Sequence, residues 1–272
     1  MQVCGLKISN ANHFWKDVMG KQGSTIIFDA ATERSGAVVR IGLILLSSDE
    51  VGGDAFTSIM PKDDVLVFAT RTAYDHSNGG FAVATSFPEV ADTLPPVGRF
   101  DVLAFSCTSA TIAMGESKLL SELEKARPGA KCTSPAIAAI AALKQLSARK
   151  IAILTPYSLD FHRSAIVPFF DNRGFDVVAD GTFDKHTDAE MGELRQESIF
   201  HGAKTLVARS SPDALFVSCT ATPIVPHIAR LENELGIPVV TSTQAMAWDA
   251  LRLAGYHRSV EGFGRLLASE RR

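Results

Sequence analysis

The chain states one pattern twice. Asp101-Val102-Leu103-Ala104-Phe105-Ser106-Cys107-Thr108-Ser109-Ala110-Thr111-Ile112 recurs as Asp213-Ala214-Leu215-Phe216-Val217-Ser218-Cys219-Thr220-Ala221-Thr222-Pro223-Ile224. Each copy is an apolar, strand-like run that ends in a cysteine and small hydroxyl residues, with a helical pattern after it. The repeat extends further. Arg40-Ile41-Gly42-Leu43-Ile44-Leu45 resembles Lys150-Ile151-Ala152-Ile153-Leu154-Thr155, and Cys132-Thr133-Ser134-Pro135-Ala136 pairs with Val240-Thr241-Ser242-Thr243-Gln244-Ala245. The matched segments come in the same order at nearly the same spacing. A period of half the chain implies a duplicated domain rather than a solenoid.

The strand-like runs are 41–46, 65–70, 101–106, 151–155, 175–180, 213–218 and 237–241. They are continuous apolar stretches, as expected of parallel strands covered on both faces. Helical patterns fall at 111–126, 136–148, 161–173, 188–208, 224–235 and 243–254. This βαβ rhythm predicts an α/β layered fold with right-handed crossovers. In such sheets ligands bind at the carboxyl ends of strands, and both cysteines fall at such ends. Residues 1–38 match nothing in the second half and read as an N-terminal arm, a candidate for contact in a homo-oligomer.

Composition narrows the function classes. The net charge of −3 over 272 residues gives no basic surface for nucleic acid. No apolar run approaches the roughly 20 residues that span a bilayer, and the first residues lack a secretory pattern. Four cysteines without metal-ligand spacing read as reduced thiols of a cytoplasmic protein, with no metal site.

A thiol at a helix amino terminus is expected to be acidified by unpaired N–H groups. On that ground Cys107 or Cys219 should react faster than Cys132 or Cys4. Any buried cysteine can also be only a small hydrophobe, but two in equivalent strand-end positions favour a shared site. The sulfurs should then lie roughly 7–10 Å apart, with a reacting carbon between them. Thr108, Ser109, Thr220 and Thr222 add hydroxyls, and the amides around them, including that of Ala221, can cradle a carboxylate. Pro223 and Pro226 fall near a first helical turn, where proline costs little. Tyr157, ending the run Leu154-Thr155-Pro156-Tyr157, is either a carboxylate donor or a turn residue. Its counterpart run is Leu46-Ser47-Ser48-Asp49. Cys132, matched by Val240, reads as structural, and His162, His186 and His227 as surface or capping residues.

These paired Ser-Cys-Thr strand ends, the Leu-Thr-Pro-Tyr strand end and the run Pro238-Val239-Val240-Thr241-Ser242-Thr243-Gln244-Ala245 resemble the aspartate/glutamate racemase superfamily. The branch most similar holds maleate cis-trans isomerase, arylmalonate decarboxylase and the racemase-type ectoine-utilisation protein. The resemblance covers about residues 39–257. It implies two α/β/α lobes related by pseudo-twofold symmetry, 39–134 plus 243–272 and 135–242, with the active site between them. It implies no cofactor, and Cys107 and Cys219 as catalytic residues. In the racemases one thiolate takes a proton from the carbon beside a carboxylate and the opposite thiol returns one. In maleate isomerase a cysteine adds to the double bond, which then rotates. The decarboxylase keeps only the second-half cysteine, whereas both are present here.

The chain departs from the maleate isomerases at one strand end. Their Ser-Ser-Asn run holds a substrate carboxylate with the asparagine, where this chain has Ser47-Ser48-Asp49. Their second carboxylate-binding asparagine has no clean match; Thr187-Asp188 lies in that region. An ionised Asp49 repels a dianion and favours an amino group. The expectation is a racemase or epimerase of a small amino-acid derivative, with a place in ectoine degradation. The alternatives are a maleate isomerase and a catalytically silent two-lobed binding protein.

Overall fold

The computed structural model describes residues 28–30, 39–75, 82–83, 86–96 and 99–268, so Cys4 and nearly all of the arm lie outside the described residues. The elements below belong to the compact unit Ala37–Arg272.

Duplication is visible in the hydrogen bonds. Strands β1 (Val39–Leu46), β2 (Val65–Thr72), β5 (Val102–Ser106) and β6 (Lys131–Thr133) form a parallel sheet in the order β2-β1-β5-β6. A short antiparallel pair, β3 (Tyr74–Asp75) and β4 (Ala82–Val83), follows β2. The second sheet contains β7 (Lys150–Thr155), β8 (Asp176–Thr182), β9 (Ala214–Val217) and β10 (Val239–Thr241), ordered β10-β9-β7-β8 and also parallel. Replacing β1, β2, β5 and β6 by β7, β8, β9 and β10 turns one order into the other. The residue opening each cysteine motif does the same work in both halves. Asp101 Oδ2 accepts from Arg40 N at 2.8 Å, and Asp213 Oδ2 accepts from Lys150 N and Arg149 N at 2.8 Å each.

The central strands are buried on both faces, as their apolar composition requires, whereas the edge strands β2 and β8 are largely half-buried or exposed, contrary to the expectation of full cover. Ile41, Leu43 and Leu45 of β1 join a core that runs on through Ile151, Ile153, Leu215 and Phe216 of the second sheet. Ile44 and Leu46, on the opposite face, join Phe87, Leu103, Phe105 and Leu119. Helix Ser242–Leu253 packs against helix Pro135–Gln145 and against β5, β6 and helix Gly52–Ile59. Its buried Asp249 accepts from Thr133 Oγ1 at 2.6 Å.

The helical patterns are interrupted where local chemistry intervenes. The pattern at 111–126 is two helices, Thr108–Met114 and Glu116–Ala126, broken at Gly115 with φ +84°, a conformation that glycine adopts freely. The one at 188–208 divides into Asp188–Gly192 and Gln196–Ser210. The one at 161–173 contains a π-helical turn, His162–Ile166. Among the described residues no helix is long and apolar enough to cross a membrane.

Candidate active site

The described carboxyl ends of the strands supply the site. Ser48 and Asp49 follow β1, Cys107 follows β5, Tyr157 follows β7, Asp188 lies beyond β8, Cys219 follows β9, and Ser242 follows β10.

Cys107 is the N-cap of helix Thr108–Met114. Its sulfur accepts from Ala110 N at 3.4 Å and lies 3.4 Å from Ser109 Oγ. Thr111 Oγ1 donates to the Cys107 carbonyl at 2.6 Å, fixing the cap. The second copy is built differently. Cys219 has φ +81°, and no helix starts at Thr220. A 3-10 turn, Val225–His227, comes first and helix Ile228–Leu235 after it. Pro223 disfavours α conformation at Thr222, while Pro226 lies in the first turn of the 3-10 helix, where its missing N–H costs little. Thr222 Oγ1 instead donates to the Ser218 carbonyl at 3.1 Å.

The expected acidity of the thiols is overturned by burial. Cys107 is pushed from its ordinary 9.0 up to about 12 by desolvation, against the lowering by Ser109 and the Ala110 N–H. Cys219 is raised further, first by desolvation and next by the charge of Asp188; the Tyr157 hydroxyl and the Ala221 N–H oppose this. Two or three hydrogen bonds do not replace the hydration that a thiolate loses. Half-buried Cys132 is raised to about 11, again by burial. It lies beside Leu120, Glu124 and Leu253, away from the other two thiols' partners.

Tyr157 is buried, its ring edge-on to Phe161 with centroids 5.4 Å apart. It is not a bare turn residue, because its hydroxyl favours the Cys219 thiolate. Its own pKa is raised by burial and then by the charges of Cys219 and Cys107. Ser242 Oγ accepts from Thr108 Oγ1 at 2.9 Å, and Thr243 Oγ1 donates to the Thr220 carbonyl at 3.5 Å. The start of helix Ser242–Leu253 therefore braces both cysteine loops. His162 is buried rather than on the surface: it lies 3.0 Å from Thr155 Oγ1 and 2.8 Å from Asp180 Oδ2. His227 packs edge-on against Phe200, and the His186 backbone joins the cap at Thr187.

Asp49 is 2% exposed. Its Oδ1 accepts from Val51 N at 3.0 Å and Gly52 N at 2.7 Å, while its buried Oδ2 has no hydrogen-bond partner. Arg71 donates to the carbonyls of Leu46 (2.9 Å) and Asp49 (2.6 Å), so it holds the loop through its backbone. Ser48 Oγ donates to the Asp188 carboxylate. Helix Asp188–Gly192 also places Met191 Sδ 3.7 Å from Cys219 Sγ. Sequence reading placed Thr187-Asp188 in the region of the relatives' second asparagine without giving Asp188 a role, and it did not single out Met191. The Thr187-Asp188-Ala189-Glu190 capping box marks this helix start, but its closeness to Ser48 exists only in three dimensions.

Known proteins resemble the chain over most of its length. A curated maleate isomerase of Nocardia farcinica is 28% identical over 248 residues, covering 85% of this chain and 96% of its own. The arylmalonate decarboxylase of Bordetella bronchiseptica is 27% identical over 147 residues, covering 51% of this chain and 58% of its own. A solved structure of the Nocardia farcinica maleate cis-trans isomerase, a cysteine-to-serine mutant with a covalently bound succinylcysteine intermediate, superposes with a TM-score of 0.75. It covers 86% of this chain and 99% of its own at 24% identity, a likeness of fold. The family profile of arylmalonate decarboxylase matches residues 77–267, more than half of the chain. The chain thus belongs to the arylmalonate decarboxylase family, in the branch of the aspartate/glutamate racemase-like superfamily that also holds the maleate isomerases.

Proposed function

We propose that the chain is a cofactor-independent two-cysteine isomerase, a racemase or epimerase of a small amino-acid derivative. Cys107 and Cys219 act from opposite lobes, 39–134 plus 243–272 and 135–242. One enters as thiolate and takes the proton from the carbon beside the substrate carboxylate. The other, as thiol, delivers its own proton to the opposite face. The two sulfurs exchange protonation states in each turnover, so atoms and charge balance without a cofactor. Amides and hydroxyls at Thr108, Ser109, Thr220 and Ala221 bind the substrate carboxylate, and Tyr157 supports the Cys219 thiolate.

The observation that carries the amino-acid reading is the Asp49 carboxylate, buried with one oxygen unpartnered. A buried carboxylate is costly unless something donates to it. An ammonium or amide N–H of the substrate would donate there, with Ser48 beside it. Maleate cis-trans isomerisation is the second reading, favoured by the likeness to the Nocardia farcinica enzyme over nearly its whole length. A place in ectoine degradation and a homo-oligomeric state rest on the sequence resemblance and the arm alone. The deciding measurement is deuterium incorporation from solvent at the α-carbon, across a panel of amino acids, their N-acyl derivatives and dicarboxylates. Exchange on an amino compound supports the proposal; exchange on none, with maleate converted to fumarate, replaces it by the second reading.

A further inference from the structure

The carboxyl end of β7 is closed by a buried imidazole. His162 is 1% exposed. Its Nε2 lies 2.8 Å from Asp180 Oδ2 and its Nδ1 3.0 Å from Thr155 Oγ1. A carboxylate accepts, so Nε2 carries a proton and donates to Asp180; in the neutral ring Nδ1 then accepts from the Thr155 hydroxyl. Asp180 lies on β8 and Thr155 ends β7, so the imidazole ties the outer strand to the strand end. The bond to Thr155 also closes segment 155–162 on itself, with Tyr157 inside it. The backbone of this turn is held from the β8 side. Phe183 N donates to the Thr155 carbonyl at 2.9 Å, Lys185 N to the Pro156 carbonyl at 2.7 Å, and Thr182 Oγ1 to the Tyr157 carbonyl. The first half pins its matching loop in a similar way: Arg71 of the outer strand β2 donates to the carbonyls of Leu46 and Asp49 after β1. His162 also opens a π-helical turn, a rare form that is frequent at functional sites. That turn packs on helix Thr108–Met114, the helix capped by Cys107. The segment around Tyr157 therefore reaches from the Cys219 sulfur, to which the Tyr157 hydroxyl donates, to the Cys107 helix.

We propose that His162 is a positioning residue for the reaction at Cys219: braced by Asp180, it holds Thr155 and the turn after β7 so that the Tyr157 hydroxyl stays on the Cys219 sulfur. The inference rests on reading Cys107 and Cys219 as the reaction site. His162 acts through Tyr157. Without the bond to Thr155 the turn keeps its backbone bonds to β8 but loses its side-chain clamp, and the Tyr157 ring then samples positions in which its hydroxyl misses the sulfur.

The test follows iodoacetamide alkylation at each cysteine by peptide mass spectrometry in the full-length protein. The variants are Thr155→Val, His162→Phe, His162→Asn, Tyr157→Phe and the double change Thr155→Val with Tyr157→Phe. Thr155→Val removes the hydroxyl with little change of shape, and His162→Phe removes both ring nitrogens. Each should slow Cys219 about tenfold and leave Cys107 unchanged. His162→Asn puts an amide oxygen near the position of Nδ1, where Thr155 can donate to it, and should restore most of the rate. In the double variant the Thr155 change should add nothing to the effect of Tyr157→Phe, because both act through one hydroxyl. A general structural defect would instead slow Cys219 further. A wild-type rate in Thr155→Val, additive slowing in the double variant, or equal slowing at Cys107 overturns the inference. Should Cys219 not react in the wild type, the fluorine NMR spectrum of protein labelled with 3-fluorotyrosine decides. The Tyr157 resonance, assigned by its loss in Tyr157→Phe, should move in Thr155→Val and stay near its wild-type position in His162→Asn. An unmoved resonance in Thr155→Val overturns the inference. Coupling of His162 to Tyr157 without α-proton exchange on any amino compound would sink the proposed reaction alone; exchange without that coupling would sink only this inference.

Discussion

Removing one oxygen atom from Tyr157 should separate the two thiols. The hydroxyl of Tyr157 supports the thiolate form of Cys219, and burial keeps that hydroxyl protonated and able to donate. In Tyr157→Phe the ring should stay in place, because its edge-on contact with Phe161 and the bond from Thr182 Oγ1 to the Tyr157 carbonyl are both retained. A hydrogen bond to a charged acceptor contributes roughly 1.5–3 kcal/mol. At about 1.4 kcal/mol per pKa unit, its loss raises the Cys219 thiol by about one to two units. The thiolate fraction at a fixed pH, and with it the alkylation rate, should fall about 10- to 100-fold. Cys107 takes its donors from Ser109 and Ala110 and serves as the internal control. The assay is the iodoacetamide rate at each cysteine from neutral to strongly alkaline pH, read by peptide mass spectrometry. A Cys219 rate unchanged in Tyr157→Phe, or an equal slowing at Cys107, would refute the assignment.

Further expectations concern activity, substrate and stability. Cys107→Ser and Cys219→Ser should each keep the circular dichroism spectrum of the wild type yet lose most α-proton exchange; retained exchange in either excludes the two-sulfur mechanism. The wild type should convert little or no maleate to fumarate by ultraviolet absorbance, and Asp49→Asn should bind dicarboxylates better; efficient wild-type conversion reduced by that variant would promote the maleate reading. In Gly52→Ala the new Cβ would stand 2.3 Å from Asp49 Oδ2, so urea unfolding should show a loss of about 1–3 kcal/mol. The buried Cys107 thiol, raised from 9.0 to about 12, adds stability that is full below the unfolded value and is lost as pH rises through the folded one. That amounts to about 4 kcal/mol over the window, and Cys107→Ser should flatten this part of the alkaline unfolding curve.

The fold was legible because the features that set it are local and repeated. Arg40 and Lys150, Asp101 and Asp213, and the apolar runs between them reappear in equivalent hydrogen bonds and equivalent sheet positions. Less legible were β6, whose three residues follow the turn after helix Glu116–Ala126, and the β3–β4 pair, which has no counterpart in the second half. Gly115 broke a continuous helical pattern through a backbone angle that periodicity does not register. For the site, the charge of Asp49 is felt at both Cys107 and Cys219, and Tyr157 feels both sulfurs, all from strand ends that the sequence marks. The sign of the thiol shift was not legible. It depends on how completely each sulfur is buried, which spacing along the chain does not report.

A symmetric fold here holds an asymmetric pair of sulfurs, and the asymmetry begins in a few residues after each cysteine. Ser109-Ala110-Thr111 continues directly into a helix, so Cys107 becomes a cap with an N–H aimed at its sulfur. Ala221-Thr222-Pro223 cannot do so, and Cys219 is turned into the left-handed region, where its sulfur meets Tyr157 and Met191 instead. A non-glycine residue held at positive φ is strained, and such strain persists only where the surroundings impose it. The bond from Thr243 to the Thr220 carbonyl and that from Thr222 to the Ser218 carbonyl supply this constraint. Duplication gave the chain two equivalent strand ends; divergence of the following turn gave each sulfur its own proton donors. Two thiols with different donors do not share one ionisation, which suits a reaction that needs one of them as base while the other remains an acid.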